Sequence, residues 1–291
     1  MTIIAETIEW NQFYALDSIN NIDCLSGLRN LDSDIVDVIV TSPPYWGQRA
    51  GSGLGGEEDP REYVENLSQI LSEAMRVLKP EGVLWLNLGD SFNTPINWRL
   101  EDRVHSTLGA DGNGLDPENS AYTKERGNRK AFVSREDLWL SYGNLLGLPM
   151  RIVFNLCDRG FLFRGEIIWA KSKAMPEGRC RRPHRKHESI YILAKNEKHN
   201  FRVKPPVPSI WSVDAERNTT IHTSTFPVDL PRRCISASGL NSGVLLDPFM
   251  GSGTSAIAAQ QAGLNYVGFE INPEYVIIAQ KRILDVNQRL F

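Results

Sequence analysis

The chain has 291 residues, of which 41% are hydrophobic and 23% are charged, and its formal net charge at pH 7 is −3. This composition is ordinary for a globular protein, and the length suits one large α/β domain with an insertion or two small domains. No apolar run approaches the roughly 20 residues that span a bilayer, and no basic-then-apolar leader opens the chain, so we expect a cytoplasmic protein.

Hydrophobic patterning predicts alternating strands and helices, and hence a mostly parallel sheet covered by helices on both faces. A β-branched strand ends at Ser-Pro-Pro, and the helix that follows it ends at Lys-Pro-Glu-Gly, residues 79–82. In chain order, the predicted elements are a strand over 35–40, a helix over 57–78, a strand over 83–88, a helix over 145–159, strands over 166–170, 189–194 and 244–246, a helix over 254–262, a strand over 265–270 and a helix over 273–284.

Two stretches lack regular hydrophobic periodicity. Residues 91–135 are rich in Asn, Gly, Asp, Arg and Ser, and residues 201–223 carry three prolines and the isolated Trp211. Loops of this length inside a compact domain are usually functional or disordered. We therefore interpret both stretches as insertions in the predicted sheet.

The four cysteines are far apart, and none forms a Cys-x-x-Cys pair: Cys24, Cys157, Cys180 and Cys234. Such spacing disfavours both a zinc site and a disulfide framework. We expect free thiols and no bound metal.

Positive charge is concentrated between residues 179 and 204, which contain nine Lys or Arg residues and only two Glu residues. A local basic surface can neutralise phosphates even in a weakly acidic protein, and the alternative is a solvated loop. Five of the nine lie within residues 179–186, which we call the basic segment.

Residues 247–254 read Asp-Pro-Phe-Met-Gly-Ser-Gly-Thr and lie between a predicted strand and a predicted helix. Glycines allow a ligand to approach the backbone, and a helix N-terminus offers unpaired N–H groups. This glycine turn lacks the Lys of a phosphate-binding loop, and Ala256 stands where a dinucleotide fold would place its third glycine. Glu270 ends the next strand, where an acidic side chain binds ribose hydroxyls in doubly wound folds. The pattern indicates a nucleoside cofactor or a purely structural tight turn.

Residues 41–46 read Thr-Ser-Pro-Pro-Tyr-Trp and close the first predicted strand. Two prolines fix the backbone of this proline loop, and the carboxyl ends of strands are where open α/β sheets bind ligands. Ser42 and the Pro43 carbonyl offer two hydrogen-bond acceptors, while Tyr45 and Trp46 offer stacking surfaces. The set suits a planar amine such as a nucleobase; the alternative is a proline-terminated strand with aromatic packing.

Together, the two segments resemble the signature motifs of the DNA methyltransferases that methylate exocyclic amines, at N4 of cytosine or N6 of adenine. Residues 247–253 resemble that family's Asp-Pro-Phe-x-Gly-Ser-Gly cofactor motif, and residues 41–45 resemble its Asp/Asn/Ser-Pro-Pro-Tyr catalytic motif. Companion segments at 21–25, 166–188 and 222–230 are also similar to the family. Because the catalytic motif precedes the cofactor motif, the chain is most similar to the β-group, in which the common order is circularly permuted.

The resemblance implies a doubly wound, mostly parallel seven-stranded sheet of the S-adenosylmethionine-dependent methyltransferase type, circularly permuted and carrying an irregular insertion. It implies a single catalytic domain over residues 1–291, with a catalytic half over 11–200 and a cofactor half over 222–291. Residues 91–135 and 201–223 become candidate DNA-recognition insertions.

The resemblance also assigns six residues to the cofactor S-adenosylmethionine: Asp23, Asp247, Phe249, Gly251, Gly253 and Glu270. The aromatic residue and the glycines would surround the methionine part. Asp247 would lie near its amino group, Glu270 would bind the ribose hydroxyls, and Asp23 would approach the adenine.

The implied catalytic residues are Ser42, Pro43, Pro44 and Tyr45. Hydrogen bonds from the target amine to the Ser42 hydroxyl and the Pro43 carbonyl would favour a pyramidal nitrogen with its lone pair aimed at the methyl group. The sulfonium is a good leaving group, so positioning would account for most of the catalysis. Ring-carbon methylation is disfavoured because no cysteine follows a proline in a catalytic-looking loop. Ser at residue 42 is typical of N4-cytosine members, whereas adenine members usually carry Asp or Asn, so cytosine N4 is predicted ahead of adenine N6.

Double-stranded DNA is the expected substrate, in contact with one aromatic and five basic residues: Trp46, Arg179, Arg181, Arg182, Arg185 and Lys186. Phosphate contacts give affinity without sequence information. A cognate restriction endonuclease acting separately is a further expected partner, and the protein would be a monomer or a homodimer. Two alternatives stay open: a methyltransferase for protein side-chain amides, which Ser42 and the basic segment disfavour, and a non-catalytic DNA-binding relative.

Overall fold

The computed structural model describes residues 11–47, 53–93, 140–141, 143–171, 182–202, 204–214 and 226–289. The helices within them are α1 (Cys24–Arg29), α2 (Pro60–Val77), α3 (Leu148–Asp158), α4 (Asp229–Ser238), α5 (Thr254–Gln261) and α6 (Pro273–Arg289). The strands are β1 (Ser18–Asn21), β2 (Val36–Thr41), β3 (Leu78–Leu88), β4 (Leu162–Ala170), β5 (His187–Ala194), β6 (Ile210–Ser212), β7 (Val244–Asp247) and β8 (Asn265–Glu270). In this part of the chain, no helix combines the length and the apolar character that crossing a membrane requires.

The described strands form one sheet in the order β1-β8-β7-β2-β3-β5-β4-β6. Neighbouring strands are parallel except where β5 lies antiparallel between β3 and β4. Parallel neighbours need crossover connections, which α2 provides between β2 and β3 and α5 provides between β7 and β8. The predicted α/β architecture with a mostly parallel sheet is confirmed.

Two apolar clusters fill the space between the sheet and its helices, one on each face. On one face α1, α2 and α3 pack through Leu28, Leu71 and Ile152, whose side chains are fully buried. On the other face α4, α5 and α6 pack, with Ile235 and Ala279 among the buried contacts. Strand side chains alternate between the two clusters, so the central strands are apolar on both faces.

The chain changes face between the neighbouring strands β7 and β2. Helix α5, which follows β7, covers one face, while α2, which follows β2, covers the other. Such a switch point opens a crevice outside the carboxyl ends of the strands, where α/β sheets bind ligands. Both motif segments lie there, since the proline loop starts in the last residue of β2 and the glycine turn in the last residue of β7.

Strand β3 differs from its predicted boundary. The sequence predicts a break at residues 79–82, but β3 begins at Leu78, directly after α2. Leu78 pairs with Val36 of β2, and the register shifts before Val38 pairs with Val83. A proline is tolerated at such an irregularity because the ladder needs no N–H there.

The hydrophobic pattern does not reveal four short elements: β1, α1, β6 and α4. Strand β6 pairs with β4 and is the eighth strand of the described sheet, where seven were predicted. Its Trp211 is 3% exposed and stacks on Trp85 with ring centroids 6.1 Å apart. Residues 201–202 and 204–214 of one predicted insertion therefore pack against the sheet. Residues 94–135 and 215–223 of the two insertions lie outside the described residues.

Candidate active site

The proline loop and the glycine turn meet across the switch point through one buried hydrogen bond. Thr41 Oγ1 donates to Asp247 Oδ1 over 2.6 Å, although 206 positions separate the two residues in the chain. Each side chain is 1% exposed, so neither group has water as a ready alternative partner. Parallel pairing of β2 with β7 brings both strand ends to the same edge of the sheet. The two predicted motifs therefore form one site.

Side chains from nearby elements hold the proline loop in place. The Tyr63 hydroxyl of α2 donates to the Pro44 carbonyl over 2.9 Å, and Trp46 Nε1 donates to the Glu57 carbonyl over 2.8 Å. The loop is therefore held at two points by groups from α2 and from the segment that precedes it.

Trp46 does not present the exposed ring that a DNA contact requires. Its side chain is 2% exposed and lies in the apolar cluster on the α2 side of the sheet. In this structure the indole fixes the proline loop to the fold, because both its ring and its N–H are used by protein groups. An aromatic residue after Pro-Pro-Tyr suits either role in the sequence, and only its burial separates them.

Asn87, at the carboxyl end of β3, connects two side chains of the proline loop. Its Oδ1 accepts a hydrogen bond from Ser42 Oγ over 3.2 Å and lies 3.1 Å from the Tyr45 hydroxyl. Its Nδ2 donates to the Ser189 carbonyl of β5 over 3.1 Å. Because a carbonyl accepts only, this bond determines that the oxygen end of the amide faces the loop.

The Tyr45 side chain is held at its hydroxyl and along one side of its ring. The hydroxyl donates to Glu188 Oε2 over 2.8 Å. A Cβ added at Gly89 would come within 2.6 Å of the ring, so the ring lies directly against the backbone that follows β3. Burial and the Glu188 carboxylate raise the pKa of Tyr45 well above its ordinary value, and the phenol stays neutral.

Asp247 is a buried carboxylate at the start of the glycine turn. Besides the bond from Thr41, it accepts hydrogen bonds from Ser255 Oγ and from the Phe249 N–H. Burial raises the pKa of Asp247 to about 6, against the lowering effect of these three hydrogen bonds, and the nearby Glu270 carboxylate adds to the rise. A carboxylate in this state favours a cationic neighbour, since positive charge stabilises its ionised form.

Glu270 lies beside the glycine turn at the end of β8 and is 6% exposed. Its Oε2 accepts from the Gly251 N–H over 2.9 Å, and its Oε1 accepts from the Asn272 N–H over 2.8 Å. These two bonds orient the carboxylate, and each oxygen retains a second lone pair for a hydroxyl donor. Among the residues predicted from sequence, the structure thus brings Glu270, Gly251 and Asp247 together.

The path of the glycine turn depends on two glycine conformations. Gly251 and Gly253 have φ angles of 54° and 83°, which other residues rarely adopt. A Cβ on Gly253 would also lie 3.0 Å from the Ala279 side chain of α6. Arg282 of the same helix donates to the Ser252 carbonyl over 2.7 Å, so the turn is tied to α6 as well as to β8.

Asp23 lies near the same edge because β1 pairs with β8. Asn21 stands opposite Glu270, and the Ile22 N–H donates to the Glu270 carbonyl over 3.2 Å. The Asp23 carboxylate caps α1 by accepting from the Ser26 N–H over 3.0 Å. Its side chain is exposed at the rim of the site, and its contact with an adenine stays a prediction.

Part of the basic segment is described, whereas Arg179 and Arg181 lie outside the described residues. The Arg182 guanidinium carbon lies 3.6 Å from the centroid of the Phe92 ring, which is a cation–π contact. Phe92 lies a few residues beyond Asn87, so the segment touches the chain that leaves β3 at the candidate site.

Arg185 and Lys186 continue this segment into β5. Arg185 Nη1 donates to the Asp90 carbonyl over 2.6 Å, and Lys186 is exposed. The Asp90 carboxylate accepts from the N–H groups of Gly147 and Leu148, over 3.0 Å each, at the start of α3. Burial raises the pKa of Asp90. The segment is thus anchored at the edge of the sheet that carries the proline loop.

The described cysteines, Cys24, Cys157 and Cys234, are free thiols, and Cys180 lies outside the described residues. Burial raises the pKa of Cys24 to about 12 and that of Cys234 well above its ordinary value. Neither is therefore a thiolate nucleophile. Within the described ranges, no group of three His, Cys, Asp or Glu side chains could hold a metal ion.

Sequence reasoning missed the groups that reach the proline loop from neighbouring strands. For Asn87 a signal existed, because a polar residue near the carboxyl end of a buried strand lies at the ligand-binding edge of a parallel sheet. Glu188 closes the companion segment 166–188, which is similar to the family, but that similarity assigned it no role in the site. It lies near the start of β5, and only the antiparallel direction of that strand brings its amino end to this edge.

Comparison with known proteins bears on the same segments. Residues 36–281 match the family model of the N6/N4 DNA methylases. Type II methyltransferase M.Cfr9I of Citrobacter freundii is 37% identical over 278 residues, which cover 90% of this chain and 85% of that protein. Type II methyltransferase M.SmaI of Serratia marcescens is 32% identical over 279 residues, which cover 90% of this chain and 89% of that protein.

Solved structures share the fold. The PvuII DNA methyltransferase, described as cytosine-N4-specific, superposes with a TM-score of 0.66 at 17% identity and covers 94% of this chain and 92% of its own. A putative DNA modification methylase from Thermus thermophilus, complexed with S-adenosyl-L-methionine, gives a TM-score of 0.62 at 22% identity, and the match covers 92% of this chain and 93% of that protein. At these identities the likeness establishes the architecture alone.

Proposed function

The chain belongs to the N6/N4 DNA methylase family, and we propose that it transfers the methyl group of S-adenosylmethionine to N4 of a cytosine in double-stranded DNA. Family membership makes it an S-adenosylmethionine-dependent DNA methyltransferase. The target base, the roles of individual residues and the biological partner are our proposal.

The observation that carries this proposal is the buried hydrogen bond between Thr41 and Asp247. It joins the loop that would hold the base to the turn that would hold the cofactor. Methyl transfer between two bound molecules depends above all on holding both reacting atoms at close range, and a direct bond between the two holders supplies that constraint. Since β2 and β7 are neighbours in one sheet, we assign residues 11–200 and 222–291 to one catalytic domain with the permuted β-group order.

The glycine turn suits the proposed cofactor. Asp247, with its raised pKa, would pair with the cofactor's ammonium, and Glu270 would accept from the ribose hydroxyls with the lone pairs that its backbone bonds leave over. Gly251 and Gly253 allow the left-handed turn that would surround the cofactor, and Phe249 would cover its methionine part. When bound, S-adenosylmethionine supplies an electrophilic methyl group on a sulfonium.

The proline loop suits an amine that donates two hydrogen bonds. The Tyr45 hydroxyl donates its one proton to the Glu188 carboxylate, which is charged and lies closer than Asn87 Oδ1. Asn87 Oδ1 is therefore left to accept from the Ser42 hydroxyl. With its own proton donated to Asn87, the Ser42 oxygen acts as an acceptor toward the substrate. The Ser42 oxygen and the Pro43 carbonyl would then each accept a hydrogen bond from the target amine, while the Tyr45 ring stacks on the flipped base. The amine nitrogen would bond to the methyl group as the methyl–sulfur bond breaks, and the surplus amine proton would be lost to solvent after transfer.

We assign the base as cytosine because Ser42 offers a neutral acceptor, as in the N4-cytosine members that this motif resembles. Adenine N6 is the alternative target. M.Cfr9I and M.SmaI are type II methyltransferases by name. On that basis we place this protein in a type II restriction-modification system with a separate cognate endonuclease.

For DNA contact we assign the basic segment, with Arg182, Arg185 and Lys186 among the described residues. Arg182 and Arg185 contact Phe92 and Asp90, which follow β3 at the end that carries Asn87, so phosphates bound to this segment would flank the extruded base. Base readout is assigned to residues 91–135 and 201–223, most of which lie outside the described part of the chain.

Nucleoside analysis tests the proposed target. The purified protein is incubated with unmethylated double-stranded DNA and methyl-labelled S-adenosylmethionine, and the DNA is digested and analysed by mass spectrometry. We expect labelled N4-methylcytosine, formed about 100-fold more slowly when Ser42→Ala replaces the wild type. Labelled N6-methyladenine without N4-methylcytosine would contradict the assigned base. Label in protein and not in DNA would support an amide methyltransferase, and cofactor binding without any transfer would support a non-catalytic relative.

A further inference from the structure

A buried ion pair lies behind the proline loop. Lys171 Nζ donates to Glu188 Oε1, and only 6% of the Lys171 side chain and 16% of the Glu188 side chain are exposed. The ammonium also lies 4.0 Å from the centroid of the Trp169 ring. Burying two charges costs desolvation free energy that their attraction often fails to offset, so stability alone does not explain the pair.

Strands β4 and β5 determine where the two charges meet. Trp169 stands opposite Glu188 in the antiparallel ladder, and the Lys171 N–H donates to the Lys186 carbonyl over 2.8 Å. Both side chains therefore start from hydrogen-bonded backbone at the edge of the sheet where Tyr45 lies. A charge held on rigid backbone can orient a neighbouring group with little loss of side-chain entropy.

The ion pair continues directly into the proline loop. One carboxylate oxygen of Glu188 serves the ammonium, and the other, Oε2, accepts from the Tyr45 hydroxyl over 2.8 Å. The lysine thus orients the carboxylate, and the carboxylate orients the phenol. The phenol lies 3.1 Å from Asn87 Oδ1, which accepts from Ser42.

We propose that Lys171 and Glu188 are positioning residues for methyl transfer, whose ion pair holds the Tyr45 ring, and through Asn87 the Ser42 hydroxyl, in the arrangement that receives the flipped base. This inference rests on the proposed function. A charged acceptor holds a phenol more firmly than a neutral one. It also draws the phenol proton away from Asn87 Oδ1 and leaves that oxygen to Ser42.

The competing explanation is that the pair only joins β4 to β5. The two explanations differ in one respect. If the pair acts through the Tyr45 hydroxyl, removing that hydroxyl first makes the pair irrelevant to the rate. If the pair merely joins two strands, its loss has the same effect whether or not the hydroxyl is present.

A double-mutant cycle with Glu188→Gln and Tyr45→Phe separates the two. The readouts are the single-turnover rate of labelled methyl transfer into DNA, the dissociation constant of S-adenosylmethionine and the thermal unfolding midpoint. We expect each single variant to slow transfer about 10- to 100-fold with unchanged cofactor affinity. In the Tyr45→Phe background, Glu188→Gln should slow transfer less than about threefold further.

Two more variants complete the design. Lys171→Met should reproduce the rate loss of Glu188→Gln. Lys79→Met is the matched control, because Lys79 pairs with Asp37 over 2.7 Å near the opposite ends of β2 and β3. We expect that control to leave the rate within about twofold of the wild type, as for substitutions far from the reacting atoms.

The outcomes assign failure to one hypothesis or the other. Equal rate losses from Glu188→Gln in both backgrounds, or no loss in either, would overturn the positioning role. If the ion-pair variants unfold, Tyr45→Phe decides alone, since it changes no charge: a wild-type rate in that variant also overturns the proposal. A wild type that transfers no label to DNA would overturn the proposed function itself.

Discussion

The two sides of the switch point carry different kinds of polar group. On the glycine-turn side, Asp247 and Glu270 are buried carboxylates held by hydroxyl and N–H donors. On the proline-loop side, the groups that would meet the substrate are neutral, namely the Ser42 hydroxyl and the Pro43 carbonyl. The carboxylate of Glu188 accepts from the Tyr45 hydroxyl and reaches this side through that residue.

This difference matches the different chemistry of the two proposed ligands, the cofactor and the target base. A cationic cofactor is held by negative charge, whose effect is strengthened by burial. A neutral amine needs acceptors that direct its lone pair without competing for its proton before transfer. We therefore infer that the carboxylates of the glycine-turn side determine the affinity for the cofactor, and that the neutral acceptors of the proline-loop side determine the rate of methyl transfer. Substitutions on each side test this inference.

The largest effect is expected on the neutral side. Ser42→Ala removes one acceptor for the target amine and should lower the turnover number by about 100-fold, the scale seen when a positioned hydrogen-bonding group is removed from a catalytic site. The dissociation constant of S-adenosylmethionine should stay unchanged, as measured by calorimetric titration. A comparable loss of cofactor binding would mean that Ser42 supports the fold of the site and not the reaction.

The next effect belongs to the charged side. If the carboxyl of Asp247 has a pKa of about 6 and pairs with the cofactor's ammonium, binding requires the ionised form. Affinity for S-adenosylmethionine should then be about 10-fold weaker at pH 5 than at pH 7. Asp247→Asn should bind more weakly at pH 7 and lose this pH dependence. Parallel curves for the two proteins in titrations from pH 5 to pH 8 would contradict the assignment.

The same shift has a consequence for the stability of the cofactor-free protein. The folded-state pKa of Asp247 lies above its ordinary value of 3.8. Protonation therefore stabilises the folded state, and this contribution is complete below pH 3.8 and is lost as the pH rises through about 6. Relative to Asp247→Asn, the wild type should gain about 2 kcal/mol in its free energy of unfolding between pH 7.5 and pH 4.

A smaller effect is expected from the basic segment, which belongs to neither the glycine turn nor the proline loop. Lys186→Glu should weaken DNA binding severalfold at every sequence and reduce the salt dependence by about one phosphate contact. Cofactor affinity should not change. Fluorescence anisotropy with labelled duplexes at several salt concentrations measures both quantities, and an unaltered salt slope would remove this residue from the DNA surface.

How far the sequence predicted the molecule depends on the range over which each signal acts. The glycine turn and the proline loop carry their signals within about eight residues each, because local backbone chemistry determines them. The sequence predicts strand β8 at the limits it has in the structure, because turn residues bound its short β-branched and aromatic segment, with Gly263 before it and Asn272-Pro273 after it. The α/β class followed from the alternation of such segments.

Contacts between distant segments were not predictable in the same way. Trp46 looks the same in the sequence whether its ring is buried or exposed, and only the packing of the neighbouring helix α2 determines which. Lys171 and Glu188 meet because β5 runs against its neighbours, a direction that no local pattern encodes. Strand β6 lies among prolines that suggest irregular structure, yet Trp211 packs it onto the sheet edge.

The pH dependence of the chemical step tests the central claim most directly. The single-turnover rate of methyl transfer is measured from pH 6.5 to pH 9 with cofactor and DNA both saturating, so that the titration of Asp247 does not enter. If the groups that meet the amine are neutral acceptors, the rate should change less than about twofold across this range. A rate that rises about 10-fold per pH unit over any part of it would show that a general base removes the proton during transfer, and would contradict the account.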